Sequence, residues 1–254
     1  MFNSSLGKKY LMALTGLVLI GFVFVHMAGN LQVLAGQAQI NSYAHSLQTL
    51  PWFVLWGSRL FLLASVVIHA WTAYSLILEN RKARPNKNEV EVTKRAKWSS
   101  LRMGLTGSIL LAFIVFHLLH FTIRTIYPEY AEMMTTVGST DDVKIHDAFS
   151  MILAGFKHDV ISIFYVVAMF LLCRHLAHGF SSVFQSIGLR TEALQKKLDL
   201  VASGYAWLIF AGFSVVPISV LVQKYEIYEF YDSSFFVSEV TEETNTPNLL
   251  NNES

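Results

Sequence analysis

The chain has 254 residues, of which 53% are hydrophobic and only 15% are charged, with a formal net charge of +1 and a mean hydropathy of +0.44. A soluble domain usually carries about 25% charged residues, so this composition excludes an ordinary soluble globule and indicates a membrane protein. The single cysteine, Cys173, excludes an internal disulfide, a CxxC metal site, a CxxCH haem attachment and an iron–sulfur cluster held by this chain alone.

Five stretches are long and apolar enough to cross a hydrocarbon layer of about 30 Å, which takes about 20 residues of helix. They cover residues 10–34, 52–78, 101–126, 159–184 and 200–222. The sequence therefore predicts an all-α membrane protein with a single bundle of five transmembrane helices in residues 1–222. Residues 223–254 are predicted to form a polar, acidic C-terminal tail. The first apolar run is longer than the core of a signal peptide, so we expect it to be a span.

The segments between these spans alternate in charge. Thirteen of the 19 Lys and Arg residues fall on one side of the predicted bundle. They are Lys8, Lys9, Arg81, Lys82, Arg84, Lys87, Lys94, Arg95, Lys97, Arg102, Arg190, Lys196 and Lys197. The positive-inside rule places this side in the cytoplasm, which predicts a cytoplasmic N-terminus and an outer C-terminus. The acidic residues of the tail then lie outside, namely Glu226, Glu229, Asp232, Glu239, Glu242 and Glu243.

Six of the nine histidines fall within the spans, where an ionisable group is costly and usually functional. A helix rises about 1.5 Å per residue, which places His26 and His117 near the outer face. The same arithmetic places His69 and His178 near the inner face, about 20 Å from the outer layer. His120 and His175 lie one turn from His117 and His178, respectively, so spacing alone leaves the choice within each of these two sets open.

Two imidazoles that face each other across a bundle are what a bis-histidine b haem needs as axial ligands. Because both axial positions of its iron are filled, such a haem transfers electrons and does not bind oxygen or substrate. Two haems at different depths would carry electrons most of the way across the bilayer. Zinc is an alternative, but it prefers four clustered ligands, and the spans have no carboxylate away from their ends. Helix packing through hydrogen-bonded histidines is the other alternative.

Short motifs accompany these histidines along the chain. They are Thr15-Gly16 before His26, Asn41-Ser42-Tyr43-Ala44-His45 with Leu50-Pro51, His69-Ala70, Asn80-Arg81-Lys82-Ala83-Arg84-Pro85, Thr106-Gly107 before His117, and His178-Gly179-Phe180-Ser181-Ser182 leading to Gln185-Ser186-Ile187-Gly188-Leu189. Over residues 5–222 the chain resembles the single-chain, di-haem cytochrome b membrane anchor of succinate:quinone oxidoreductases, the group of succinate dehydrogenase and quinol:fumarate reductase. Where many such anchors carry a carboxylate, this chain has Gly57-Ser58-Arg59 and Leu176.

The resemblance implies that His26 and His117 bind the outer haem and that His69 and His178 bind the inner haem. It implies an electron-transfer subunit of an enzyme in the bacterial cytoplasmic membrane, with the dicarboxylate chemistry on partner subunits. Those partners would be an iron–sulfur subunit and a flavoprotein subunit on the cytoplasmic face, where the basic residues are expected to help docking. The electron acceptor or donor in the membrane would be a quinone, and the family favours menaquinone.

Four residues are candidates for contact with the quinone, because they place polar groups beside an apolar wall. They are His45, Gln48, Trp52 and Arg59. Arg174 lies four residues before His178 and so on the same face of a helix. It is a candidate partner for a propionate of the inner haem, unless it extends to the inner membrane surface.

Two other functions fit parts of this pattern. A cytochrome b subunit of a hydrogenase or a formate dehydrogenase also carries two haems, but is not expected to have the run from His178 to Gly188. A membrane transporter without redox chemistry is the alternative from a different class, and it predicts broken helices at matched positions in two halves.

Overall fold

The computed structural model describes residues 4–83, 94–136 and 144–225, with the backbone alone for residues 94–102. Five of its helices are long and apolar enough to cross a membrane, which confirms the predicted all-α bundle. They are α1 (Ser5–Asn30), α3 (Trp52–Lys82), α4 (Lys94–His117), α6 (Asp159–Ser186) and α7 (Glu192–Lys224). The predicted tail from residue 226 onwards, and Arg84 and Lys87, lie outside the described residues.

Local sequence signals set where these helices begin and end. The Ser4 hydroxyl accepts a hydrogen bond of 3.1 Å from the amide of Gly7 and so caps α1. Pro51 precedes α3, and Gly188, with a φ of +79°, follows α6 at a position that favours glycine. The first turns of α7 are polar, so this helix begins at Glu192, earlier than the apolar run predicted from residue 200.

Four of the spanning helices form a closed ring. α1 packs against α3, α3 against α4, α4 against α6, and α6 against α1, while α7 packs on the outside against α6 and α1. α1 and α4 run in one direction through the ring, and α3 and α6 run in the other. We call the end where α1 begins the Lys8 end, and the opposite end, which carries the short elements, the Asp147 end.

Ion pairs join neighbouring helices at the ends of the bundle. At the Lys8 end, Lys8 pairs with Glu79, and Arg190 contacts Asp199 at 3.1 Å. At the Asp147 end, Lys224 contacts Asp159 at 2.7 Å. Charged groups are costly inside hydrocarbon, so these ion pairs lie where the helices leave the membrane. There they connect α1 with α3, and α6 with α7.

The Asp147 end is covered by short elements that the sequence analysis did not predict. Single turns of 3₁₀-helix lie at Leu31–Ala35 and Pro128–Ala131, and a π-helical turn, Leu118–Thr122, continues α4. The other elements are α2 (Gln37–Gln48), α5 (Ala148–Lys157) and the antiparallel strands β1 (Met134–Thr136) and β2 (Lys144–His146). α2 and α5 pack together and close this end of the bundle.

A buried carboxylate, Asp147, holds this covering layer together. Its side chain is 6% exposed and accepts hydrogen bonds from the amide nitrogens of Asn41 (2.8 Å) and Gln37 (2.9 Å) on α2. It also caps α5 by accepting from the backbone N–H and the hydroxyl of Ser150. Burial acts to raise the pKa of Asp147, but these hydrogen bonds outweigh burial and hold the pKa below its ordinary value.

We expect Asp147→Ala to lower the free energy of unfolding by about 2–4 kcal/mol, because it removes a helix cap and charged hydrogen bonds and leaves the buried amide of Asn41 without this acceptor. Since the pKa is lowered on folding, the carboxylate stabilises the fold above the ordinary Asp pKa. This contribution is lost as the pH falls through the lowered value.

Thermal unfolding in detergent between pH 7 and pH 3 measures the destabilisation by Asp147→Ala and its dependence on pH. Asp159→Ala, which removes an exposed ion pair at the same end, is the control and is expected to have a smaller effect. Equal destabilisation by the two substitutions would contradict a special role for Asp147.

Candidate functional site

The first histidine pair lies towards the Lys8 end, between α3 and α6. The ring centroids of His69 and His175 are 6.4 Å apart, with the ring planes at 68°. The sequence analysis predicts His178 as the partner of His69, but the structure places His175 there. His178 is exposed and lies within electrostatic range of Arg190 and Asp199. Of the two candidates on α6, the structure therefore brings His175 opposite His69, and the assignment of the inner ligands stays a prediction.

A threonine hydroxyl from a neighbouring helix approaches each ring of this pair. Thr15 Oγ1 is 3.3 Å from Nδ1 of His69, and Thr106 Oγ1 is 3.3 Å from Nδ1 of His175. Each hydroxyl also donates to a carbonyl of its own helix, so its oxygen accepts from the imidazole. His69 Nδ1 also lies 3.2 Å from the carbonyl oxygen of Met12. The Met12 carbonyl can only accept, so Nδ1 of His69 carries the proton and its Nε2 is left to bind a metal. The same tautomer of His175 would let its Nδ1 donate to Thr106.

A glycine follows each of these threonines and explains how the rings fit. A Cβ atom on Gly16 would lie 3.3 Å from Cε1 of His69, and one on Gly107 would lie 3.5 Å from Cε1 of His175. The first distance is short for a carbon contact and the second is an ordinary van der Waals contact, so both rings lie close to the backbone of the neighbouring helix. The two glycines therefore allow the imidazoles to lie against the backbones of α1 and α4.

The second histidine pair lies towards the Asp147 end, between α1 and α4. The ring centroids of His26 and His117 are 5.9 Å apart, with the planes at 80°. Phe22 stacks on His26 at 5.2 Å, and Phe113 stacks on His117 at 6.0 Å. The structure thus brings together the two residues that the depth arithmetic assigns to the outer layer.

The two rings of this second pair have different polar partners. The hydroxyl oxygen of Tyr165 is 3.4 Å from Nδ1 of His117 and 2.9 Å from Nδ1 of His120. Asn30 donates to the backbone carbonyl of His26, and its amide nitrogen lies 3.5 Å and 3.4 Å from the two ring nitrogens of His26. His120, which the sequence leaves as an alternative to His117, is fully buried behind Tyr165.

An internal repeat underlies the two pairs, and the sequence analysis missed it. Residues 14–26 of α1 and 105–117 of α4 share the pattern Leu-Thr-Gly-x5-Phe-x3-His. α3 and α6 share a second pattern, His-x4-aromatic-Ser, which starts at His69 and at His175. A comparison of α1 with α4 was the signal that could have revealed this relation. The repeat relates the ring of four helices by an approximate twofold axis that runs through both pairs, and it selects His175, not His178.

The repeat also measures the distance between the two pairs. Thr15 is level with His69 and lies eleven residues before His26 on the same helix, and Thr106 lies eleven residues before His117. At about 1.5 Å per residue, the two levels are about 16 Å apart. This value is shorter than the 20 Å expected from the sequence.

Both pairs have the spacing that a bis-histidine metal centre requires. An imidazole nitrogen binds a transition metal at about 2 Å, so two rings on opposite sides of one ion have centroids about 6 Å apart. The observed 6.4 and 5.9 Å agree with this value. Among the described residues, no group of three or more His, Cys, Asp or Glu side chains comes together. The two facing pairs, by their separation alone, fit a cofactor that takes two histidine ligands, such as haem.

The four quinone candidates lie at the Asp147 end but do not form one cluster. Within the described ranges, no hydrogen bond or ring contact joins any two of His45, Gln48, Trp52 and Arg59. Trp52 is 76% exposed at the start of α3, and the Arg59 guanidinium lies 5.2 Å from the ring of Trp56. These residues face the surroundings of the bundle, so their contact with quinone stays a prediction.

Arg174 lies next to His175 on α6 and is exposed. The sequence analysis places Arg174 one turn from His178. If His175 is the ligand instead, Arg174 is its immediate neighbour in the sequence. Its pairing with a propionate stays a prediction.

Comparisons of the chain with known protein families, with curated proteins and with solved structures found no match. The function is therefore argued from the geometry of the two histidine pairs and from the motifs of the sequence.

Proposed function

We propose that this chain is the di-haem cytochrome b anchor of a succinate:quinone oxidoreductase, embedded in a bacterial cytoplasmic membrane. The observation that supports the proposal is the presence of two facing histidine pairs at two depths of one bundle, each with the separation expected for a single iron between the rings. The sequence motifs that resemble this family support the choice of enzyme. The chain would serve the enzyme as its electron-transfer subunit.

The residues of the bundle have separable roles in this proposal. His26 and His117 would hold one haem, and His69 and His175 the other, through their Nε2 atoms. Thr15 and Thr106 keep the inner rings in the tautomer that can coordinate. Each haem would supply a one-electron carrier with both axial positions filled. The chain itself excludes water from the carriers and fixes their spacing.

The proposed orientation places the Lys8 end in the cytoplasm. Lys8 and Arg190 are engaged in ion pairs at this end, whereas other basic side chains there are exposed, including Arg81, Lys82 and Lys196. These exposed cations would help to dock the iron–sulfur subunit, which in turn carries the flavoprotein. Electrons would enter or leave at the inner haem, held by His69 and His175.

Quinone would react at the Asp147 end, near the outer haem. His45, Gln48, Trp52 and Arg59 are the proposed contacts, and menaquinone is the favoured quinone. Quinone would be bound by these side chains, and the haem that His26 and His117 would hold would supply or take its electrons.

We expect the purified chain to contain two non-covalent b haems. A reduced-minus-oxidised visible spectrum identifies the b type, and acidic acetone should extract the pigment because the sequence has no CxxCH motif for a thioether link. The double variant His26→Ala with His69→Ala should contain no haem, since one ligand of each pair is lost.

The variant His45→Ala is the matched control, because His45 lies outside both pairs and should keep two haems per chain. A chain that is folded in detergent but has no b-type spectrum would contradict the proposed function.

A further inference from the structure

Tyr165 of α6 joins two histidines of α4 at the Asp147 end. Its hydroxyl oxygen lies 2.9 Å from Nδ1 of His120 and 3.4 Å from Nδ1 of His117. His120 is completely buried and Tyr165 is 6% exposed. No water competes for these contacts in such a buried place. Each hydrogen bond therefore polarises the other and strengthens it.

The direction of these hydrogen bonds follows from the number of protons. If His117 binds iron through Nε2, its Nδ1 carries the ring proton and donates to Tyr165. The single hydroxyl proton of Tyr165 is then donated to Nδ1 of His120. His120 must carry its own proton on Nε2, and this atom is buried without a hydrogen-bond partner among the described residues.

The local fold maintains this arrangement although it leaves a buried N–H unsatisfied. The turn that carries His120 is π-helical, Leu118–Thr122, a geometry that is rare and frequent at functional sites. A Cβ atom on Gly155 would lie 2.7 Å from Cζ of Phe121 and 3.3 Å from Cε1 of His120, so a glycine of α5 makes room for Phe121 first and for the ring of His120 beside it. An unsatisfied buried donor destabilises a fold, so stability alone does not explain the placement of His120.

We propose that Tyr165, oriented by His120, is a positioning residue that strengthens the electron donation of His117 and thereby lowers the midpoint potential of the outer haem. The inference rests on the proposed function. A phenol whose own proton is donated to His120 is a better acceptor for the His117 N–H, and a stronger hydrogen bond at Nδ1 makes the ring a more basic ligand. A more basic ligand stabilises the oxidised iron. The inner pair has threonine hydroxyls in the corresponding place.

The experiment is a potentiometric titration of both haems in the complete complex, with electron paramagnetic resonance of the oxidised haems as a second reading. Tyr165→Phe should raise the midpoint potential of the outer haem and alter its highest g value, while the inner haem stays unchanged. The substitution is well matched, because the ring of Tyr165 packs among Phe113, Phe156 and other aromatic rings.

Tyr205→Phe is the control variant. It removes a partly buried tyrosine hydrogen bond of 2.6 Å to the carbonyl of Ile20 and should leave both potentials unchanged. An unchanged outer potential in Tyr165→Phe, or the same shift in Tyr205→Phe, would overturn the proposal.

A second pair of variants tests the role of His120. His120→Leu removes the acceptor behind Tyr165 and should raise the outer potential less than Tyr165→Phe, whereas His120→Gln offers an oxygen in its place and should restore part of the shift. If Tyr165→Phe loses the outer haem, the two His120 variants provide the test instead. Equal midpoint potentials of the outer haem in His120→Leu and His120→Gln would then overturn the inference. Absence of any haem spectrum in the unmodified complex would instead overturn the proposed function together with it.

Discussion

Replacing His175 by alanine is expected to remove one of the two haems, whereas replacing His178 is expected to remove neither. His175 faces His69 at the separation required for one iron, and its Nδ1 contacts Thr106. Loss of one of only two axial protein ligands leaves the macrocycle bound on one side, so we expect the haem content to fall from about two to about one per chain. His69→Ala should remove the same haem.

The number of haems per chain in four alanine variants tests this assignment. The variants replace His69, His175, His178 and His117. His117→Ala is expected to remove the other haem, so the combination of His175→Ala with His117→Ala should leave none. The spectrum of the remaining haem in each single variant identifies which site is lost. Retention of both haems in His175→Ala, with loss of one in His178→Ala, would show that the family pattern and not the geometry identifies the ligand.

Succinate-to-menaquinone activity is expected to collapse when an uncoupler removes the membrane potential. In the proposed orientation, electrons cross about 16 Å from the inner to the outer pair, from the negative to the positive side of the membrane. A charge that crosses the whole membrane gains about 2.3 kcal/mol per 100 mV, so two electrons that cross about half of a hydrocarbon layer of about 30 Å gain roughly 2–2.5 kcal/mol at 100 mV. That energy can drive succinate oxidation by a quinone of low potential.

No carboxylate within the described spans offers a proton path that would cancel this charge movement. Glu79, Asp159 and Asp199 lie at helix ends and form ion pairs there. We therefore expect a loss of more than about tenfold, since 1.4 kcal/mol corresponds to a factor of ten in an equilibrium constant.

The measurement uses intact cells or energised vesicles, with and without the uncoupler. Reduction of a water-soluble dye by the flavoprotein is the control and should not respond, because its electrons do not cross the membrane. Equal quinone activity with and without the potential would contradict an outer quinone site.

The five spans could be predicted from the sequence because a stretch of about 20 apolar residues has few alternatives to a spanning helix. The pairing of His26 with His117 also followed from depth alone. Depth could not decide between His175 and His178, because three residues change the level by only about 4.5 Å. The same three residues change the direction of the side chain around the helix axis by about 60°, so His175 and His178 face different neighbours.

That rotation is fixed by packing. Cys173 and Leu176 of α6 are buried against α1 and α7, which orients His175 into the ring of helices and leaves His178 exposed. The covering layer was missed for a related reason. α2 is too polar to stand out in a hydropathy pattern, and its place depends on hydrogen bonds from Asn41 and Gln37 to Asp147, far along the sequence.

The approximate twofold axis has a consequence for the ancestry of this architecture. Residues 4–83 contain one member of each histidine pair, so two copies of that helical hairpin, associated in parallel, would already complete both sites. A gene duplication and fusion would then free one half to diverge. At the positions that correspond to His120 and Tyr165, the first half has Gly29 and Arg59. The inner site has a threonine from each half, whereas at the outer site only the second half supplies the buried His120 and Tyr165, and Arg59 is exposed at the surface of the bundle.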